Sequence, residues 1–195
     1  METFQFIKRD IKQKWKGFRF LSFLRKQNNN NKEERKFHNM ILRKDLKSKW
    51  GKNIPYSDLL EITLTLFTIT ILQWQRKKKR KKWLSSRLVY LSILLIQLYN
   101  GLRVGEATKL FKRWLLNGNQ TLTIERRNLK ENLKIEIPDI VRKNKEELRK
   151  AGEMIFGVKL RNLKSEKVKI WSKRTLGINT TTFQMAGIEY REKKY

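Results

Sequence analysis

The chain has 195 residues, no cysteine, and 47 Lys and Arg against 18 Asp and Glu, a formal net charge of +29. The absence of cysteine excludes a disulfide scaffold, a thiolate zinc site and a cysteine nucleophile, and a single histidine, His38, offers no nitrogen ligand set. Self-repulsion on this scale opposes compaction unless a polyanion offsets it, so the charge points first to nucleic acid and second to an anionic membrane surface.

Residues 1–51 are basic and sparsely apolar. Phe4, Phe6, Ile7, Ile11, Trp15, Phe18 and Phe20 recur at loosely helical spacing. Asn28, Asn29, Asn30 and Asn31 form a polar break, and a second short helix is expected over 32–49. This is a basic helical arm or subdomain, followed by one domain over 52–195. The N-terminus has no apolar run ending in small residues, so a secretory signal is not expected. With the lack of cysteine, this fits an intracellular, reducing compartment, cytoplasm or nucleoid.

Pro55, Ser57 and Asp58 make a helix start. The Thr/Ile/Leu alternation that follows fits a strand as well as a helix. Next comes the basic run Arg76, Lys77, Lys78, Lys79, Arg80, Lys81 and Lys82, read as a loop that contacts phosphates. Residues 84–98 are apolar nearly all round, the mark of a buried helix, and stop at Asn100-Gly101. The apolar runs 62–74 and 88–99 are shorter than the roughly 20 residues a bilayer span needs, which disfavours a membrane hairpin. A further helix is expected over 104–116, ending at Asn117-Gly118-Asn119.

Residues 120–127 and 133–137 alternate apolar and polar, which predicts a β-hairpin joined by 128–132 and closed by Pro138. Residues 139–170 are helical in pattern but charged, with breaks expected at Gly152 and Gly157. A last helix carries Lys and Arg near its end. The fold class is mainly α with a small β-hairpin. The tryptophans fit core or rim positions, and Trp83 adjoins the basic run. No P-loop motif and no paired-carboxylate motif occurs. Neither a metal nor another cofactor is expected.

The segment 94–110, LLIQLYNGLRVGEATKL, resembles the first conserved box of the tyrosine recombinases, the phage-type and archaeal integrases. That box has a buried helix, a turn of the form T/N-G-L-R-x-x-E, and an apolar helix. The resemblance implies that Arg103 contacts the scissile phosphate. There a planar, permanently charged fork binds two oxygens and stabilises charge on the phosphorane. It also implies that Glu106 fixes the turn presenting Arg103. The family's hairpin lysine protonates the leaving 5′ oxygen. Lys130, in the predicted hairpin turn, is the match, with Arg127 second. For the H-x-x-R element the nearest segment is NTTTFQ, residues 179–184, with Thr181 in place of histidine and Gln184 in place of arginine. Both bring hydrogen-bond donors without charge. The nucleophile candidates, Tyr190 and Tyr195, follow Gln184 by 6 and 11 residues, closer than the family's spacing.

The resemblance covers roughly residues 52–190, and its first box is the specific part. It implies a truncated or degenerate recombinase-like catalytic domain behind a basic arm. The expected function is integrase-like binding of duplex DNA, in a protein of a virus or mobile element. Loss of the second arginine and the histidine points away from strand breaking and rejoining. A full-length recombinase or a second copy of the chain is a candidate partner. Two other readings stay open: an RNA-binding or ribosome-associated basic protein without recombinase ancestry, and a membrane-associated basic protein.

Overall fold

The computed structural model describes residues 54–76, 82–126 and 129–194. The predicted arm, with His38, and Lys77, Lys78, Lys79, Arg80, Lys81, Arg127 and Tyr195 lie outside the described residues. The described chain is mainly helical. Its elements in order are α1 (Tyr56–Arg76), α2 (Lys82–Asn100), α3 (Val104–Asn117), β1 (Thr121–Arg126), β2 (Leu129–Lys134), α4 (Asp139–Lys143), α5 (Lys145–Phe156), a 3-10 turn (Val158–Leu160), α6 (Ser165–Trp171), a π-helical turn (Ser172–Leu176) and α7 (Thr180–Lys194).

Helix α2 is the centre of the fold. A helix apolar on every side needs neighbours on every side, and α2 packs against α1, α3, α5, α6 and α7. Leu84, Leu88, Leu91, Ile93, Leu94 and Leu95 are fully buried. The threonines that make α1 ambiguous by pattern are absorbed within the helix. Thr63 Oγ1 donates to the Leu59 carbonyl and Thr70 Oγ1 to the Leu66 carbonyl, each at 2.6 Å, so the buried hydroxyls need no outside partner. Trp74 Nε1 donates to Ser85 Oγ at 3.1 Å and fastens α1 to α2.

Two glycines in the left-handed region end consecutive helices. Gly101 (φ 62) follows α2. Gly118 (φ 72) follows α3, its N–H donating to the Trp114 carbonyl at 2.8 Å.

The hairpin is present, but its strands differ from expectation. β2 begins at Leu129, and the antiparallel register pairs Arg126 with Leu129, Glu125 with Lys130 and Thr123 with Asn132. Two residues separate the strands in place of the predicted five. Thr123 Oγ1 donates to Asn132 Oδ1 at 2.7 Å across the ladder. Leu133 and Lys134 close β2, and the Ile135 N–H donates to the Gln120 carbonyl at 2.9 Å; beyond them the alternation has another cause. Ile135 and Ile137 drop into the helical core, and between them the Glu136 backbone bonds to an α2 side chain rather than to a strand. Pro138 then stands as the N-cap of α4.

Gly157 ends α5 as expected, but Gly152 does not break it. Gly152 is buried, and a Cβ there would stand 2.6 Å from Leu160 Cδ2, so this glycine makes room for a leucine. Among the described residues no single helix is long and apolar enough to cross a membrane; α2 and α3 meet the test together only across a 113° bend.

Candidate nucleic-acid interface

The turn between α2 and α3 is fixed from both sides. Leu102 and Val104 are buried, and Arg103 between them has an extended backbone (φ −67, ψ 147). Successive side chains of an extended segment point to opposite sides, so anchoring the two neighbours turns Arg103 out to solvent, where it is exposed. Arg103 is the N-cap of α3. Its N–H donates to Glu106 Oε2 at 2.7 Å, so a carboxylate satisfies one of the free amides of the helix start.

Asn100 ties this turn to the hairpin exit. Its Nδ2 donates to the Ile96 carbonyl at 2.9 Å and the Glu136 carbonyl at 2.8 Å, and its Oδ1 accepts the Glu136 N–H at 3.1 Å. Helix α7 lies across the same turn. Gln97 Nε2 donates to the Thr180 carbonyl at 2.8 Å. Arg191 Nη1 donates to the Asn100 carbonyl at 3.2 Å. Gly101 sits against Ile188, and Gly187 against Leu98 and Gly101.

Gln184 shares the side of α7 that carries Gly187, Ile188 and Arg191, and it is half-buried; Thr181, one turn earlier, is exposed. Tyr190 lies about 120° around the helix from Gln184. Its ring stacks on Tyr56 of α1, with centroids 4.0 Å apart and planes 6° apart. Tyr99 and Glu136 adjoin this pair. Burial, then the neighbouring Tyr99, Tyr190 and Glu136, push the Tyr56 hydroxyl up to about 12. Burial, then Glu136, Asp139 and Tyr190, also raise that of Tyr99. Tyr190 is thus held in a ring stack with Tyr56.

Lys130 stands within β2, opposite Glu125, rather than in the hairpin turn. Arg76 and Lys82, the described ends of the basic run, are exposed where α1 ends and α2 begins. The length of α2, about 27 Å, separates them from the Arg103 turn. Arg76 and Lys82 thus stand away from the Arg103 turn, and residues 77–81 between them lie outside the described residues. The structure brings together the Arg103 turn, the hairpin exit and α7, and leaves Arg76 and Lys82 at the far end of the central helix.

Sequence reasoning missed the cations of α3 itself. Lys109 and Arg113 are exposed, and Lys112 is half-buried, its ammonium shifted down by burial. Their spacing over one helical face, with Ala107, Leu110, Phe111 and Trp114 buried on the other, was the available signal. Lys145 Nζ stands 5.7 Å from the Trp114 ring centre at the end of the same helix. No cluster of three His, Cys, Asp or Glu side chains suited to a metal occurs among the described residues. Comparison with family models, with curated proteins and with solved structures returned no match.

Proposed function

We propose that this chain is an integrase-like protein that binds duplex DNA through its phosphates and does not cleave it. The observation that carries the reading is the net charge of +29. Its natural complement is a duplex backbone, whose condensed counterions are released when lysines and arginines replace them. The Arg103 turn is the best-prepared contact, because Leu102, Val104, Asn100 and Glu106 fix the backbone beneath an outward guanidinium. The cations of α3 extend it. Thr181 and Gln184 supply no charge in place of histidine and arginine, and Tyr190 is engaged with Tyr56, which together support binding without strand transfer.

The test is fluorescence anisotropy with duplex DNA, duplex RNA and single-stranded RNA over a salt series, with a suicide DNA substrate run in parallel. The expected result is tight binding with a steep salt slope, preference for duplex DNA, and no covalent adduct. Preference for single-stranded RNA would replace this reading with an RNA-binding one. A phosphotyrosine adduct would restore the cleaving enzyme.

A further inference from the structure

Residues 159–174, between α5 and α7, hold seven Lys and Arg and one Glu, and all seven cations are exposed. The local backbone is arranged to put them there. Lys159 (φ 55) and Leu160 (φ 54) are consecutive non-glycine residues in the left-handed region, which L side chains disfavour. Such strain persists only where surrounding contacts over-determine it. Leu160 is fully buried in the space left by Gly152, and Leu163 is buried one turn later. The Asn162 N–H donates to the Phe156 carbonyl at 3.1 Å. With these two leucines pinned inward, Lys159, Arg161 and Lys164 face solvent.

The same pattern continues through α6 and the π-helical turn. Val168 is fully buried while Lys167 and Lys169 are exposed. Ser172 Oγ donates to the Ile178 carbonyl at 2.7 Å and Leu176 is buried, leaving Lys173 and Arg174 outside. Among the described residues the ion pairs are Arg142 with Asp139 and Arg149 with Glu153, and neither involves this ledge. Glu166, its one acid, accepts a hydrogen bond from Ser165 Oγ. A membrane-surface helix needs a broad outward apolar face. Here Val168 points inward and Ile170 is the one exposed large apolar residue of α6.

We propose that residues 159–174 form a second phosphate-binding ledge that takes the nucleic-acid backbone independently of Arg103. This rests on the nucleic-acid reading above. The strained turn at Lys159 and Leu160, with the buried Val168, Ser172 and Leu176, keeps the cations outward, and one acid, Glu166, stands among the seven.

The test uses the full chain and duplex DNA. Lys167→Gln, Lys173→Gln and Arg174→Gln are combined, and log affinity is followed against log salt from about 50 to about 200 mM. The expected slope is shallower by about three, one for each cation removed, at unchanged Tm. Lys159→Gly should flatten the slope by about one without lowering Tm, because glycine accepts the left-handed backbone. A merely structural role would lower Tm and leave the slope alone. An unchanged slope in the triple variant, with a steep wild-type slope, overturns the ledge and leaves the proposed function standing. Wild-type protein that shows no salt-dependent duplex binding overturns both. Tighter wild-type binding to phosphatidylserine vesicles than to duplex, lost in the triple variant, assigns the ledge to a membrane surface and overturns it as a nucleic-acid site.

Discussion

Gly187 of α7 meets Gly101 of the α2–α3 turn so closely that a methyl group on Gly187 would stand 3.0 Å from Gly101 Cα and collide with the Leu98 carbonyl oxygen. All of these obstacles are backbone atoms, so no rotamer change relieves them. A glycine inside a helix costs about 1 kcal/mol against alanine, and this contact is what retains it.

Gly187→Ala should therefore destabilise the protein by about 1–3 kcal/mol, the usual cost of overpacking a filled site. Gly105 is the control. It lies in α3 with nothing within 4 Å of an added Cβ, so Gly105→Ala should leave stability unchanged or raise it by about 0.5 kcal/mol. Urea unfolding of the two variants measures both signs.

Asn100 holds the hairpin exit to the central helix by bonding both the N–H and the carbonyl of Glu136. Asn100→Ala leaves both groups without that partner. The expected loss is about 1–3 kcal/mol, and the Glu136 amide should exchange with solvent faster than in the wild type. Unchanged exchange at that amide would show that the exit is held by Ile135 and Ile137 alone.

These contacts mark where the sequence was legible. The all-round apolar pattern of α2 and the Asn100-Gly101 stop predicted a buried helix and its end. The helix expected over 104–116, stopped by Asn117-Gly118-Asn119, matches α3 to within a residue. Helix α1 was ambiguous because Thr63 and Thr70 read as polar, and only their bonds to carbonyls four residues earlier remove that polarity. The second strand was placed too late, at 133–137, because Ile135 and Ile137 continue the strand-like alternation while packing into the helical core. The stack of Tyr190 on Tyr56 joins the two ends of the described chain, and neither periodicity nor spacing carries such a contact. The left-handed backbone at Lys159 and Leu160 has no sequence signal either, since glycine or asparagine would be the expected residue there.

Tyr56 gives a prediction with a definite sign. Its ordinary value is 10.0 and the folded protein raises it to about 12. The unfolded chain thus ionises first. The stabilisation is fully present below pH 10 and declines as pH rises from 10 through 12. Tyr56→Phe keeps the ring for the stack with Tyr190 and removes the ionisation. The fall in unfolding free energy between these pH values should be smaller in this variant than in the wild type. Identical slopes would mean that the Tyr56 hydroxyl titrates alike in both states.

Arg103 and Glu106 share one turn but should separate cleanly by experiment. The Arg103 side chain is exposed, and its structural bond is made by its backbone N–H. Arg103→Ala should change stability by less than about 0.5 kcal/mol, yet flatten the salt slope of DNA binding by about one. Glu106→Ala removes the acceptor that satisfies the Arg103 N–H. It should cost about 1 kcal/mol of stability, the usual value of a lost cap, and it removes a negative charge from beside the proposed phosphate contact. Its affinity for duplex DNA at low salt should stay level or rise while its Tm falls. If Arg103→Ala instead lowers Tm and leaves the slope intact, Arg103 is a helix-capping residue and the turn is not a phosphate contact.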